Sequence, residues 1–215
     1  MSIAAKICGL SSEEAVAAAV EGGAAYVGFV FYPPSPRAVS PARAGALCVA
    51  VPAPIRRVAL FVDADDDAIR TVLDAAPIDL LQFHGSESPE RVAAAKARFN
   101  RPVMKAVAVA APSDVLVAAR YEDAADMLLF DAKPPHHADA LPGGNGLAFD
   151  WRLIAGHQWR LPWMLSGGLT AARLSEAVAI SGASAVDVSS GVERRPGDKD
   201  SDKIRAFLSV CGAIR

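Results

Sequence analysis

Cys8, Arg37, His84, Asp131 and Asp187 are the side chains of this sequence best suited to moving a proton or holding an anion. Most of them stand at or near the end of an apolar run. Cys8 closes Ala4-Ala5-Lys6-Ile7-Cys8, His84 closes Asp79-Leu80-Leu81-Gln82-Phe83-His84, Asp131 closes Ala125-Asp126-Met127-Leu128-Leu129-Phe130-Asp131, and Asp187 lies in Ala183-Ser184-Ala185-Val186-Asp187-Val188. Arg37 ends a proline-stiffened segment, Tyr32-Pro33-Pro34-Ser35-Pro36-Arg37. A thiol facing a carboxylic acid makes an acid/base pair. A guanidinium can grip a carboxylate through two parallel hydrogen bonds. Two glycine-bearing stretches add an anion site. Ser166-Gly167-Gly168-Leu169 offers backbone N–H groups without side-chain obstruction, and Ser189-Ser190-Gly191-Val192-Glu193 resembles the first turn of a short helix, whose dipole favours negative charge. Taken singly, each has a plain structural reading: a buried thiol as a small hydrophobe, an acid or histidine as a helix cap, a solvated arginine, a tight glycine turn.

What changes those odds is the set of elements that must carry these residues. Apolar runs alternate with helix-forming segments along the whole chain. Strands are expected at 4–8, 25–31, 57–62, 79–84, 102–107, 125–131, 161–166 and 183–188, and helices near 12–21, 41–50, 65–75, 88–98, 113–120, from 149, from Thr170 to 180, and 200–211. Continuous apolar strands separated by helices indicate a parallel sheet covered on both faces. Eight such units fit a single (β/α)8 barrel over residues 1–215 better than a flavodoxin-like or Rossmann sheet, and no Gly-x-Gly-x-x-Gly opens the first helix. In a barrel, all strand tips meet on one face. Side chains two apart share a face of a strand, so Lys6 goes with Cys8, Gln82 with His84 and Leu129 with Asp131. The loops after strands seven and eight, where barrels often hold a phosphate, are the two glycine-bearing stretches. The segment from Ala132 to Leu147 breaks the rhythm and reads as a functional lid or a disordered loop.

Composition narrows the function. The chain has 215 residues, a formal net charge of −2 and 52% apolar composition, enough for one sizeable core and without a basic footprint for nucleic acid. The longest uncharged stretch, Gly22 to Pro36, is too short and too interrupted to span a bilayer. No secretory leader is recognisable and the three cysteines cannot all pair within the chain, so a cytoplasmic protein with reduced thiols is expected. Cys48 and Cys211 read as packing residues, and His136, His137 and His157 as exposed loop residues without the spacing of a metal site. A small soluble ligand is expected. Monomer and homodimer are both open.

Together, Lys6-Ile7-Cys8-Gly9-Leu10, Gly28-Phe29-Val30-Phe31-Tyr32 with Ser35-Pro36-Arg37, Leu81-Gln82-Phe83-His84-Gly85, Leu129-Phe130-Asp131, Gly143-Gly144-Asn145-Gly146 with Phe149-Asp150-Trp151, Ser166-Gly167-Gly168-Leu169 and Asp187 to Glu193 form a recognisable series. Over essentially its whole length the chain resembles the phosphoribosylanthranilate isomerase family of tryptophan biosynthesis. The resemblance implies a barrel, a sugar-phosphate substrate and no cofactor or metal. It implies Cys8 as general base, Asp131 as general acid and Arg37 as holder of the anthranilate carboxylate. Gln82, His84 and Asp187 are expected to touch substrate, and Gly167, Gly168, Ser189, Ser190 and Gly191 to bind the phosphate. Asp63 and Asn145 depart from the residues expected at their places, asparagine and threonine. The histidine-pathway isomerase performs the same kind of rearrangement on a similar fold but uses an aspartate on strand one, against which Cys8 argues. A barrel that only binds a sugar phosphate would not need both Cys8 and Asp131.

Overall fold

The apolar runs form eight parallel strands that close on themselves: β1 (Ala4–Cys8), β2 (Tyr26–Val30), β3 (Arg56–Phe61), β4 (Leu80–Phe83), β5 (Val103–Val109), β6 (Met127–Ala132), β7 (Trp163–Leu165) and β8 (Ala185–Val188), each paired to its neighbours and β8 back to β1. The computed structural model describes residues 3–134 and 143–214. His136, His137 and much of the expected long segment after β6 therefore lie outside the described residues. The helices are α1 (Glu13–Glu21), α2 (Pro41–Cys48), α3 (Asp66–Ala75), α4 (Pro89–Phe99), α5 (Pro112–Leu116), α6 (Leu174–Ser181) and α7 (Ser201–Ala213).

Several starts follow the capping chemistry of the sequence. Ser12, Ser40, Asp65 and Ser88 each accept a hydrogen bond from a backbone N–H of the first turn, and proline opens α2 and α4 where its missing N–H costs nothing. Two helices differ from expectation. The segment 113–120 is one turn of α-helix followed by a 3-10 helix, Val117–Tyr121, because the buried residues Val115, Ala118 and Tyr121 recur every three positions, the period of the tighter helix. The helix expected from Thr170 begins only at Leu174, since Thr170 accepts from Arg173 N–H in a preceding turn. After β6 the helical position is filled, among the described residues, by the 3-10 turn Trp151–Leu153 alone. An unanticipated hairpin, β9 (Glu193–Arg195) and β10 (Asp198–Lys199), follows β8.

Alternation along the strands sorts the core into two layers. Outward residues, including the fully buried Phe29, Phe61, Phe83 and Phe130, pack under the helices. Inside the barrel, Val58, Leu80, Met104, Ala106, Met127, Leu129, Met164 and Ala185 fill the lower interior, and Cys8, Val30 and Leu60 form an apolar floor nearer the mouth. The interior is thus filled, as barrels of this size require, and a cavity opens at its C-terminal end.

Candidate active site

A cavity opens at the C-terminal ends of the strands and is lined by Cys8, Arg37, His84, Asp131, Asp187, the glycines 167 and 168, and Ser189, Ser190 and Gly191, together with Val30, Tyr32, Leu60 and Val62. The sequence brought these residues to one face only through the barrel, and there they lie together. Cys8 is 4% exposed at the tip of β1. Burial pushes its thiol upward from the ordinary value, Lys6 pulls it back, Asp187 pushes it up again and Lys199 opposes that.

Opposite Cys8, at the end of β6, Asp131 accepts from its neighbour's backbone, Ala132 N–H, at 2.9 Å, and its Oδ2 lies 3.2 Å from His84 Nε2. Gln82 Nε2 lies 3.0 Å from His84 Nδ1. With the amide donating, Nδ1 is the acceptor and Nε2 carries the hydrogen directed at Asp131. Gln82 itself is fully buried and is not among the residues lining the cavity; the strand period fixes its face, and it bonds to His84.

Arg37 is 5% exposed, so it is not a solvated surface arginine. Its Nε and Nη2 donate to Glu193 at 2.8 Å each, and Nη2 also donates to the Gly144 carbonyl at 3.1 Å. The expected two-bond grip on a ligand is therefore already spent on Glu193, and among the described residues Nη1 is the guanidinium nitrogen left outside these bonds. Glu193 also accepts from Lys199 at 2.7 Å, and Lys199 donates to Ser189 O and Oγ at 2.9 and 3.1 Å. Burial works against the Glu193 carboxylate, but hydrogen bonds from Arg37 and the Lys199 charge outweigh it and hold its pKa low. Arg37 and the loop after β8 are thereby tied together through the hairpin.

Asp187 lines the cavity, yet its Oδ1 is bound to Lys6 Nζ at 2.9 Å and its Oδ2 accepts from Ser166 Oγ at 3.2 Å, so its oxygens are committed within the barrel. The anion loops need their glycines. Gly167 and Gly168 have φ of +88° and +61°, and a Cβ on Gly191 would fall 1.9 Å from the Leu169 carbonyl oxygen, which means that the two loops touch backbone to backbone. Over the mouth, Gly143 crosses His84 and Asp131, where a Cβ would meet their side chains at 2.7 and 2.9 Å. Asp63 is not in the cavity lining; it adopts the left-handed conformation that Asn and Asp tolerate, φ +48°, and accepts from Ser86 N–H at 2.8 Å. His157 is exposed and stacks on Trp159, and Cys48 and Cys211 are buried in α2 and α7 as packing thiols.

Sequence reasoning missed Glu193, Lys199, Glu87 and Lys105. Glu87 is 5% exposed and accepts from Asp63 N–H, Gly85 N–H and Lys105 Nζ at 2.9, 3.0 and 2.8 Å, fixing the loops beside His84. A glutamate in a loop gives no sequence signal for such burial, because two of its partners, Asp63 and Lys105, come from other elements.

Comparison with known proteins agrees with the geometry. The sequence profile described as N-(5'phosphoribosyl)anthranilate (PRA) isomerase matches residues 5–210. The chain is 56% identical over 214 residues to N-(5'-phosphoribosyl)anthranilate isomerase of Rhodospirillum centenum, covering 100% of both, and 55% identical to that of Paramagnetospirillum magneticum, covering 98% of this chain and 97% of the relative. It is similar to the crystal structure of phosphoribosyl anthranilate isomerase from Thermotoga maritima, with TM-score 0.86 and 36% identity over 98% of this chain and 99% of that one. A structure of phosphoribosyl anthranilate isomerase in complex with reduced 1-(o-carboxyphenylamino)-1-deoxyribulose 5-phosphate matches with TM-score 0.84 and 34% identity, over 98% and 99% of the chains.

Proposed function

The chain belongs to the N-(5'-phosphoribosyl)anthranilate isomerase family, and from that membership and the cavity's layout we infer that Cys8 is its general base and Asp131 its general acid. The reaction is the rearrangement of N-(5'-phosphoribosyl)anthranilate to 1-(2-carboxyphenylamino)-1-deoxyribulose 5-phosphate in tryptophan biosynthesis. It needs the furanose ring oxygen protonated and a proton removed from C2′. Asp131 protonates the ring oxygen and opens the ring to a Schiff base. Cys8 then takes the C2′ proton, and the resulting enolamine tautomerises to the ketone.

The observation that carries this reading is the placement of Cys8 and Asp131 on one cavity, between an arginine and two glycine loops. The sugar phosphate lies along that line. Its phosphate rests on the N–H groups of the loops after β7 and β8, and its anthranilate carboxylate on the Nη1 side of Arg37. His84 orients Asp131, and Asp187 acts from below through Lys6 and Ser166. To act as base Cys8 must give up its thiol proton; burial opposes that step and the neighbouring Lys6 charge favours it.

Among the described residues no helix is long and apolar enough to cross a membrane, and the three cysteines are unpaired. We place the working protein in the cytoplasm as one barrel unit over residues 1–215. The deciding experiment follows the fluorescence of phosphoribosylanthranilate with the purified chain. Disappearance of that signal with formation of the ribulose product is expected; binding without turnover would reduce the protein to a sugar-phosphate carrier and remove the roles of Cys8 and Asp131.

A further inference from the structure

Lys6 enters the mechanism above only as a partner of Asp187, although it is a fully buried lysine two residues before the base on the same strand face. Strand register explains how it comes there. Lys6 and Cys8 share the inward face of β1, Lys6 is paired in register with Asp187 of β8, and Cys8 with Gly28 of β2. The Lys6 ammonium donates to Asp187 at 2.9 Å, and Asp187 is held in turn by Ser166. A Cβ built on Gly28 would lie 3.1 Å from both Lys6 Nζ and Cys8 Sγ, so the bare backbone of Gly28 leaves the gap through which ammonium and thiol face each other. Gly28 does not carry a positive φ, so its lack of a side chain answers to space rather than to backbone conformation.

We propose that Lys6 is the buried counter-ion of the Cys8 thiolate, a positioning residue for the base, and that Gly28 is kept without a side chain so that the two can meet. The proposal rests on the reading of Cys8 as general base. Burial alone would drive the Lys6 ammonium to give up its proton, but Asp187 and then Cys8 outweigh it, so Lys6 keeps its charge. Burial likewise opposes the thiolate, and Lys6 is the strongest influence in its favour, ahead of Lys199; Asp187 acts against it. Arg37, His84 and Asp131 line the same cavity. Asp187 therefore anchors the cation, while the cation offsets the cost of creating negative charge on sulfur in a dry site.

The test measures the pH dependence of Cys8 alkylation by a small haloacetamide, read peptide by peptide by mass spectrometry, alongside the pH profile of kcat. Gly28→Ala keeps both charges and crowds the ammonium and the thiol by a few tenths of an ångström, whereas Lys6→Met combined with Asp187→Asn removes the ion pair without leaving an unpaired buried charge. Thermal midpoints confirm that the variants compared are folded, and either one suffices if the other does not fold. In Gly28→Ala the alkylation midpoint should rise, and in Lys6→Met/Asp187→Asn it should rise by about one pH unit or more relative to Asp187→Asn alone, the comparison that removes one adjacent opposite charge, with the alkaline limb of kcat rising with it while KM changes less for Gly28→Ala. An unmoved midpoint in the folded double variant relative to Asp187→Asn alone overturns the pairing. A raised midpoint with an unmoved kcat profile leaves the pairing standing and instead overturns Cys8 as the base.

Discussion

Arg37 is rigid before any substrate arrives, because Glu193 holds its Nε and Nη2 and the Gly144 carbonyl takes a further Nη2 hydrogen. Little side-chain entropy is then left to lose on binding, which is the advantage of a pre-formed contact. Arg37→Ala should raise KM by about ten- to a hundredfold, the equivalent of about 1.5–3 kcal/mol for a charge-assisted bond, and a substrate analogue lacking the anthranilate carboxylate should feel much less of it. Arg37→Lys should recover only part of the loss, since a single ammonium cannot satisfy Glu193 and a ligand carboxylate together. Equal losses on both substrates would make Arg37 purely structural. At this scale the sequence was informative about the placement of Cys8, His84 and Asp131, whose positions at strand tips follow from apolar runs and alternation, and of Arg37 in the loop after β2. It could not reveal that Gln82 is fully buried, because a period of two reveals the face of a strand and not the depth along the barrel. It could not reveal that Arg37 is pre-engaged, since Glu193 lies 156 residues away.

The loops owe their positions to buried ion pairs. Glu87 sits below the loops after β3 and β4, accepting from the backbone of Asp63 and Gly85 and from Lys105, while Lys105 also donates to the Gly85 carbonyl at 2.7 Å. Lys105→Met leaves a buried carboxylate without its cation and should lower unfolding free energy by about 3–5 kcal/mol in a denaturant titration, as removal of one partner of a buried pair does. A loss below about 1 kcal/mol would mean that the pair is solvated in practice. The loops after β7 and β8 make a second prediction. A crystal soaked in phosphate should hold the anion against Gly167-Gly168 and Ser189-Ser190-Gly191, and an empty pocket at high phosphate would refute that placement. These glycine loops were legible because they occur at the two strands where barrels bind phosphate. The β9–β10 hairpin was not read, although Pro196-Gly197 is a turn dipeptide and Gly197 has φ +85°. The 3-10 helix was missed although its three-residue spacing was present in Val115, Ala118 and Tyr121.

At the scale of the whole molecule, the regular alternation of apolar runs with capped helices sufficed for the closed barrel, because each strand buried on both faces must be covered by a helix and no other arrangement uses eight such units so evenly. The closed barrel also hides its thiols. Burial pushes Cys48 to about 11 and Cys211 to about 12, from 9.0, so the folded chain keeps protons that the unfolded chain releases. That contribution to stability is complete below pH 9 and is lost as pH rises through the folded values. The fall in thermal midpoint between pH 8 and about 10.5 should therefore be smaller in Cys48→Ala/Cys211→Ala than in the parent, although the variant starts lower; equal falls would show that these thiols are not protonated by the fold. What the barrel does is to bring the residues at positions 8 and 131 to one cavity, where the proposal has them act on one substrate. The most direct test is kcat, with thermal midpoint on the same preparations, for Cys8→Ser, Asp131→Asn and the double variant. Each single change should cut kcat by about 10²-fold or more with KM and thermal midpoint little moved, and the double variant should lose less than the product of the two. A Cys8→Ser protein that is less stable but turns over at the parental rate per folded molecule would contradict the account.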